Sequence, residues 1–378
     1  MTTSITDSTK LEVHILGAGK GESIVIKLPN GQWGVVDCYA SSAADPDSNP
    51  TRAFLKSRGV EQLEFLCLTH PHDDHFSGMS TLIDEFQPRE FWRPSCLAPE
   101  LVRLLAKYYA IRGIEEGEES LTASARELVR IYSKVRTNVL EGRLKVQRGV
   151  ARMTVYPVPA RQTGEFQIDC LAPSGTEIEV YEGAILGCLD ERSRIVSRLT
   201  RSHHNRISLV LRLVYGQTRV LLCGDLEREG WEVLLEDFGT ETLTASAVKV
   251  GHHGSPNGYC DGLWRSLASN GRPVAVFAPS WAHRLPKIEA IEHISQFAST
   301  LYATCDSVTD KGTATTAPTR APLESRIAMR AAFSTKTPRI PRSKAGCCSL
   351  IFDELGNCQI ELTPPALQID ATMRTVSS

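Results

Sequence analysis

Apolar positions come in short blocks over most of the chain, and their spacing changes along it. "LEVHILG" (11–17), "SIVIKL" (23–28) and "QWGVVDCY" (32–39) are alternating or fully apolar runs that predict strands, with Asn30-Gly31 turning the second into the third. "PTRAFLKSRGV" reads as a helix closed by Gly59, "LEFLCLTH" as a buried strand and "SGMSTLIDEF" as a helix. Between 97 and 145 the apolar residues recur at spacings of three and four, which predicts a helical layer inserted into a β-rich scaffold. Strands resume with "ARMTVYPV", "FQIDCLAP" and "EIEVYE", and "RISLVLRLVYGQTRVLLCGDLE" reads as a hairpin about Gly216. "TASAVKV" and "RPVAVFAPS" supply two further strands. Residues 306–345, rich in Thr, Pro, Ser and Arg, predict a long mobile loop, and 346–363 a closing β-hairpin. The order is that of an α/β fold, read as a single domain over 1–378 with the 97–145 helices as an insertion.

Composition narrows the classes. The chain has 378 residues, 42% of them hydrophobic, enough for a large core. Its 42 Lys plus Arg against 44 Asp plus Glu give a net charge of -2, so it lacks the overall basic field of a general nucleic-acid binder. Eleven cysteines without a CxxC pair predict reduced thiols used as small core residues, hence a cytoplasmic setting. Neither a leader-like pattern nor an apolar run of membrane length is present, so no membrane partner is expected.

Two stretches bear on chemistry. "GAGKGES" (17–23) has the glycines of a phosphate-binding loop, but β-branched "SIVIKL" follows where that loop needs a helix. "FLCLTHPHDDHFSGM" (65–79) places His70, His72, Asp73, Asp74 and His75 together at the end of an apolar strand. Neutral imidazoles and a carboxylate in so small a volume suit borderline cations such as zinc or manganese. The spacing lets His70 and His72 face one ion while Asp74 and His75 face a second.

His-x-His-x-Asp-His resembles the signature of the metallo-β-lactamase fold superfamily. "HILGAGKGESIVIKLPNGQWGVVDCY", "NRISLVLRL", "VLLCGDLE" and "VKVGHHGS" follow in the order seen in the branch that includes the soluble metallo-hydrolase domain of the ComEC DNA-uptake proteins. The resemblance spans about residues 11–295 and implies an αββα sandwich. Carried over by position, Asp225 is the carboxylate bridging two metals. His252 is the preferred ligand from "HHGS", with His253 the alternative ligand or a substrate-side proton donor. His283 in "SWAHRLP" stands where relatives close the second site with Gly-His-Pro, although Ala282 and Arg284 depart from that pattern. The implied ligands are His70, His72, His252 and Asp225 on one ion, and Asp74, His75, His283 and Asp225 on the other, with Asp74, Asp225 and His253 as the catalytic set. Asp37 is expected to orient a ligand histidine, Asn205 and Ser208 to support the site, and Lys249 to stand beside it or the substrate. His203 and His204 are left open between ligand, loop and substrate contact.

Two divalent ions, zinc or manganese, imply a metallo-hydrolase that uses a metal-bridging hydroxide. With Arg201, Arg206, Lys249, Arg284 and Lys287 near the motifs in sequence, the expected substrate is a nucleic-acid phosphodiester, cut by a nuclease that an activating protein partner recruits. The resemblance also implies a setting in bacterial defence. The alternative is a small-molecule ester, lactone, cyclic nucleotide or phosphocholine ester, because the same chemistry serves all of them.

Overall fold

The computed structural model describes residues 10–42, 45–157, 166–239, 243–305 and 345–369. Two eight-stranded sheets face each other. In chain order the strands of the first are β1 (Leu11–Gly17), β2 (Glu22–Lys27), β3 (Trp33–Val36), β4 (Phe65–Cys67), β5 (Glu90–Pro94) and β6 (Lys145–Gly149), joined later by β14 (Gly346–Phe352) and β15 (Cys358–Thr363). The second holds β7 (Met153–Tyr156), β8 (Phe166–Ala172), β9 (Val210–Tyr215), β10 (Thr218–Leu222), β11 (Ala247–Lys249), β12 (Val274–Phe277), β13 (Thr300–Ala303) and β16 (Leu367–Ile369). Their spatial orders are 15-14-1-2-3-4-5-6 and 16-13-12-11-10-9-8-7. The run from β3 to β6 is parallel, as is that from β10 to β13. The expected loop at 306–345 lies, but for its last residue, outside the described residues.

Period-two alternation explains why two layers of core form on each sheet. Ile24 and Ile26 point between the sheets to meet Leu211, Leu213, Val220 and Leu222, while Val25 points outward. In the second sheet Val220 and Leu222 face inward and Leu221 outward, against Trp231 and Leu234 of a helix over Arg228–Phe238. The outer face of the first sheet is covered by helices: after α1 (Pro50–Ser57), α2 (Asp73–Phe76) and α3 (Met79–Phe86) come α4 (Pro99–Glu116) and α5 (Glu119–Leu140), which bury Tyr108, Leu128 and Ile131. The result is the αββα sandwich. All eleven cysteines are unpaired, and nine of them are buried. Among the described residues no helix is long and apolar enough to cross a membrane.

One expected strand is a helix. "EIEVYE" alternates, yet Gly175–Leu186 forms α6 (numbered after α4 and α5), because Ser174 accepts from Glu177 N and the Glu177 carboxylate accepts from Ser174 N. This reciprocal cap satisfies two end donors and starts the helix against the local β-preference of Ile178 and Val180. Tyr181 and Ile185, four apart, then face the core together. Ser174→Ala is expected to cost about 1 kcal/mol of stability. Urea unfolding checks this, and an unchanged midpoint would show that the cap does not set the helix.

Candidate metal centre

The site lies where strand ends from both sheets meet. β4 runs into Thr69 and the His70–His75 segment, β10 into Asp225, and β11 into His252 and His253. β3 runs into Asp37, and β2 begins at Glu22. The glycine loop before β2 has a steric role: a Cβ on Gly21 would lie 2.4 Å from the Asp74 carbonyl oxygen. Only glycine lets the two backbones approach so closely.

The outer nitrogens of His70, His75 and His253 are tied down, which turns the other nitrogen of each inward. Asp37 accepts from Thr69 N at 2.8 Å and from Thr69 Oγ1 at 2.6 Å, and its Oδ2 also holds His75 Nδ1 at 2.7 Å. With the Thr69 hydroxyl proton directed at Asp37, its oxygen accepts from His70 Nδ1 at 3.0 Å. His253 Nδ1 donates to the Ala278 carbonyl at 2.8 Å. The inward Nε2 atoms then surround one carboxylate oxygen: Asp225 Oδ2 is 3.4 Å from His75, 3.8 Å from His253, 3.9 Å from His70 and 4.0 Å from His252. His70 Nε2 is 3.0 Å from His72 Nδ1, and Asp74 Oδ2 is 3.4 Å from His253 Nε2. Ser208 Oγ accepts from Asp225 N at 3.2 Å, and Asn205 Nδ2 lies 3.5 Å from His252 Nε2 while donating to Glu227.

His252 and His253 both adopt left-handed backbone, φ 47° and 53°. An extended strand would send successive side chains to opposite faces, and this strained turn brings both to Asp225. Asp37 is likewise left-handed, φ 59°.

The donor set fits divalent metal. His72 Nε2, Asp74 Oδ1, His75 Nε2, Asp225 Oδ1 and His253 Nε2 are buried without a hydrogen-bond partner, a concentration that a protein avoids unless something else satisfies the atoms. Candidate donor atoms of His70, His72 and Asp225 lie within 4.8 Å of one another, as do those of Glu22, His75, Asp225 and His253. Burial would raise the Asp74 and Asp225 carboxyls, but the surrounding histidines hold both below the usual range. Burial would lower His75 and His253 in turn, yet Asp225 and its fellow carboxylates push both up. His70 and His72 go the other way: burial pushes His70 well down and His72 down to about 3. Both are therefore neutral ligand types at ordinary pH.

Several residues are placed differently from expectation. His283 is exposed on the turn after β12 and belongs to none of these clusters, so the histidine beside Asp74 and His75 is His253. With Nδ1 on the Ala278 carbonyl and Nε2 3.4 Å from Asp74 Oδ2, His253 points into the cluster. Lys249 is fully buried and ion-paired with Glu22. Arg206 pairs with exposed Glu229. His203 caps its own helix through Thr200. His204 is held at Nδ1 by Tyr181 Oη, 2.9 Å, and at Nε2 by Tyr109 Oη, 3.2 Å, so neither nitrogen is left for a metal. Tyr109 Oη also donates to the carbonyl of Pro71, between His70 and His72. Glu22 and Thr69 were not singled out from sequence. Glu22 lies on the Nδ1 side of His253, 3.4 Å away, where Lys249 already neutralises it.

Chelating the metal is expected to lower the melting temperature, and the loss should grow as pH rises. In metal-free protein the charged forms of His75 and His253 offset the buried carboxylates. Both titrate above their ordinary 6.5, so that contribution is full below pH 6.5 and is lost as pH rises through the higher folded values. Melting curves with and without chelator between pH 6 and 9 check the sign. A gap that narrows toward pH 9 would contradict it.

Residues 16–153 match the family described as the metallo-beta-lactamase superfamily. ComE operon protein 3 of Bacillus subtilis (strain 168) is 24% identical over 262 residues, covering 66% of this chain and 26% of that protein. The chain thus spans about a quarter of the length of the curated relative it matches. Solved structures with similarity include Rm3 metallo-beta-lactamase, with TM-score 0.36, 10% identity and coverage of 75% and 87% of the two chains. A diphosphatase from the PhnP family has TM-score 0.34, 11% identity and coverage of 74% and 89%. The motif at 70–75 and the αββα sandwich agree with the match of residues 16–153 to the metallo-beta-lactamase superfamily.

Proposed function

We propose that the protein is a two-metal phosphodiesterase acting on nucleic acid. The observation that carries the reading is the ring of four inward Nε2 atoms about Asp225 Oδ2, with Asp74 alongside. His70, His72, His252 and Asp225 would hold one divalent ion, and Asp74, His75, His253 and Asp225 the other, zinc or manganese by donor type. When bound, such a pair supplies Lewis-acid stabilisation of phosphoryl charge and lowers the pKa of an attacking water.

The chain's own part is positional. Asp37 fixes the His75 ring and, through Thr69, the His70 ring, which sets which nitrogen each offers. Ser208 holds the backbone of Asp225. In hydrolysis, water adds to phosphorus, the P–O ester bond breaks, and the departing alcohol oxygen takes up a proton. The phosphodiester choice is supported by the resemblance of the motifs to the DNA-uptake branch and by exposed Arg201 beside the His70–His75 segment. The balanced net charge suits an enzyme brought to its polymer by a partner protein rather than by long-range attraction.

Bis-p-nitrophenyl phosphate, incubated with zinc or manganese, is expected to be hydrolysed. Asp225→Asn should lower the rate at least about a hundredfold, the scale of losing a preorganised charged group in a site. Hydrolysis of p-nitrophenyl acetate or a lactone with the diester untouched would replace this reading by the small-ester one.

A further inference from the structure

The segment leaving β12 frames one side of the metal centre. Its Ala278 carbonyl holds His253, and Ser280 and Leu285 then pair across a tight turn, through backbone hydrogen bonds of 2.9 and 3.1 Å. The turn is pinned at both ends. Trp281 N donates to the Gly19 carbonyl at 2.6 Å, and a Cβ on Gly19 would run into the Trp281 ring. At the other end Lys287 N donates to the Gly254 carbonyl at 3.2 Å, and a Cβ on Gly254 would lie 2.5 Å from Pro286 Cβ. Gly19 belongs to the loop whose Gly21 abuts Asp74, and Gly254 directly follows His253. The turn therefore reaches from the Asp74 side of the centre to the His253 side.

His283 stands exposed in this turn and makes no hydrogen bond or ion pair among the described residues. The other imidazoles nearby are committed. His70, His75, His252 and His253 turn a nitrogen toward Asp225, His72 meets His70, His203 caps its helix and His204 is clamped by two tyrosines. Arg201, exposed and likewise unpaired among the described residues, lines a cavity with His72 and Asp73 and so flanks the same segment. The charged groups that bear on His283 are Arg201, Asp74, His253 and His252. Burial and Arg201 hold its pKa below the usual 6.5, and Asp74 opposes them. A diester phosphate paired with Arg201 offsets that cation, so the substrate itself shifts His283 toward its protonated form.

We propose that His283 is a catalytic residue that protonates the departing alcohol oxygen, with Arg201 holding the phosphate. The proposal rests on the phosphodiesterase reading and supplies the donor of the proton that the leaving oxygen takes up. The attacking water forms the new P–O bond and releases one proton to solvent. The ester P–O bond breaks with its electron pair going to the alcohol oxygen, that oxygen takes the His283 proton, and the imidazole regains one from solvent.

An alcohol needs this proton to leave, whereas p-nitrophenolate is a stable anion and leaves without it. With zinc or manganese, His283→Ala is expected to slow cleavage of a thymidine oligonucleotide about a hundredfold, and hydrolysis of bis-p-nitrophenyl phosphate less than about tenfold. His283→Gln, which keeps an N–H but no transferable proton, should behave alike. Calorimetry should find the same number of zinc ions bound as in wild type, and an unchanged melting curve confirms that the variants fold. Equal losses on the two substrates, no loss on the oligonucleotide, or a zinc ion missing from the variants would overturn the proposal. So would wild-type protein that hydrolyses bis-p-nitrophenyl phosphate and leaves the oligonucleotide intact. Wild-type protein inactive on both would remove the phosphodiesterase reading, and this inference with it.

Discussion

Asp225 Oδ2 sits among four imidazoles, each with its Nε2 within 4.0 Å, and Asp225 itself is buried. Asp37, Asp74 and Glu22 are buried around the same point, with Lys249 the buried lysine that faces them. Uncompensated, so much negative charge would cost more than any local packing returns. The fold is arranged so that strand ends of both sheets bring the compensating groups to one spot. Protonated His75 and His253 serve that need in the metal-free chain, and divalent ions serve it better, because the orphaned inward atoms are ligand types.

Holding the ring in place takes a surrounding frame. Thr69 couples Asp37 to His70, Ala278 fixes His253, and Glu22 with Lys249 backs the same histidine. The inserted helix α4 takes part through Tyr109, which with Tyr181 on α6 clamps His204 and donates to the Pro71 carbonyl between His70 and His72. The insertion thus has a hold on the metal-side loop.

The α/β order of elements and the His70–His75 cluster were legible in the sequence because both are local: strand periods repeat every two residues, and the cluster spans six positions, whereas the αββα sandwich followed from the resemblance. Asp225 was legible by resemblance alone. The His253 position was harder, since strand alternation implies that only one of two adjacent histidines faces the site, and left-handed backbone at both breaks that rule. Glu22, Thr69 and Tyr181 carry no local sign of their roles, which depend on partners distant in sequence. The helix over Gly175–Leu186 was missed for a different reason: its alternating "EIEVYE" outweighed a capping box at Ser174 and Glu177 that was visible in the same stretch.

Anomalous diffraction from crystals grown with zinc tests the central claim most directly, because it locates the ion independently of activity. Two-ion occupancy predicts two peaks about 2.0–2.2 Å from imidazole nitrogens and carboxylate oxygens, one against His70 and His72 and the other against His75 and His253, with Asp225 between them. An empty centre at saturating zinc, or peaks at His283 with none beside His253, would contradict it.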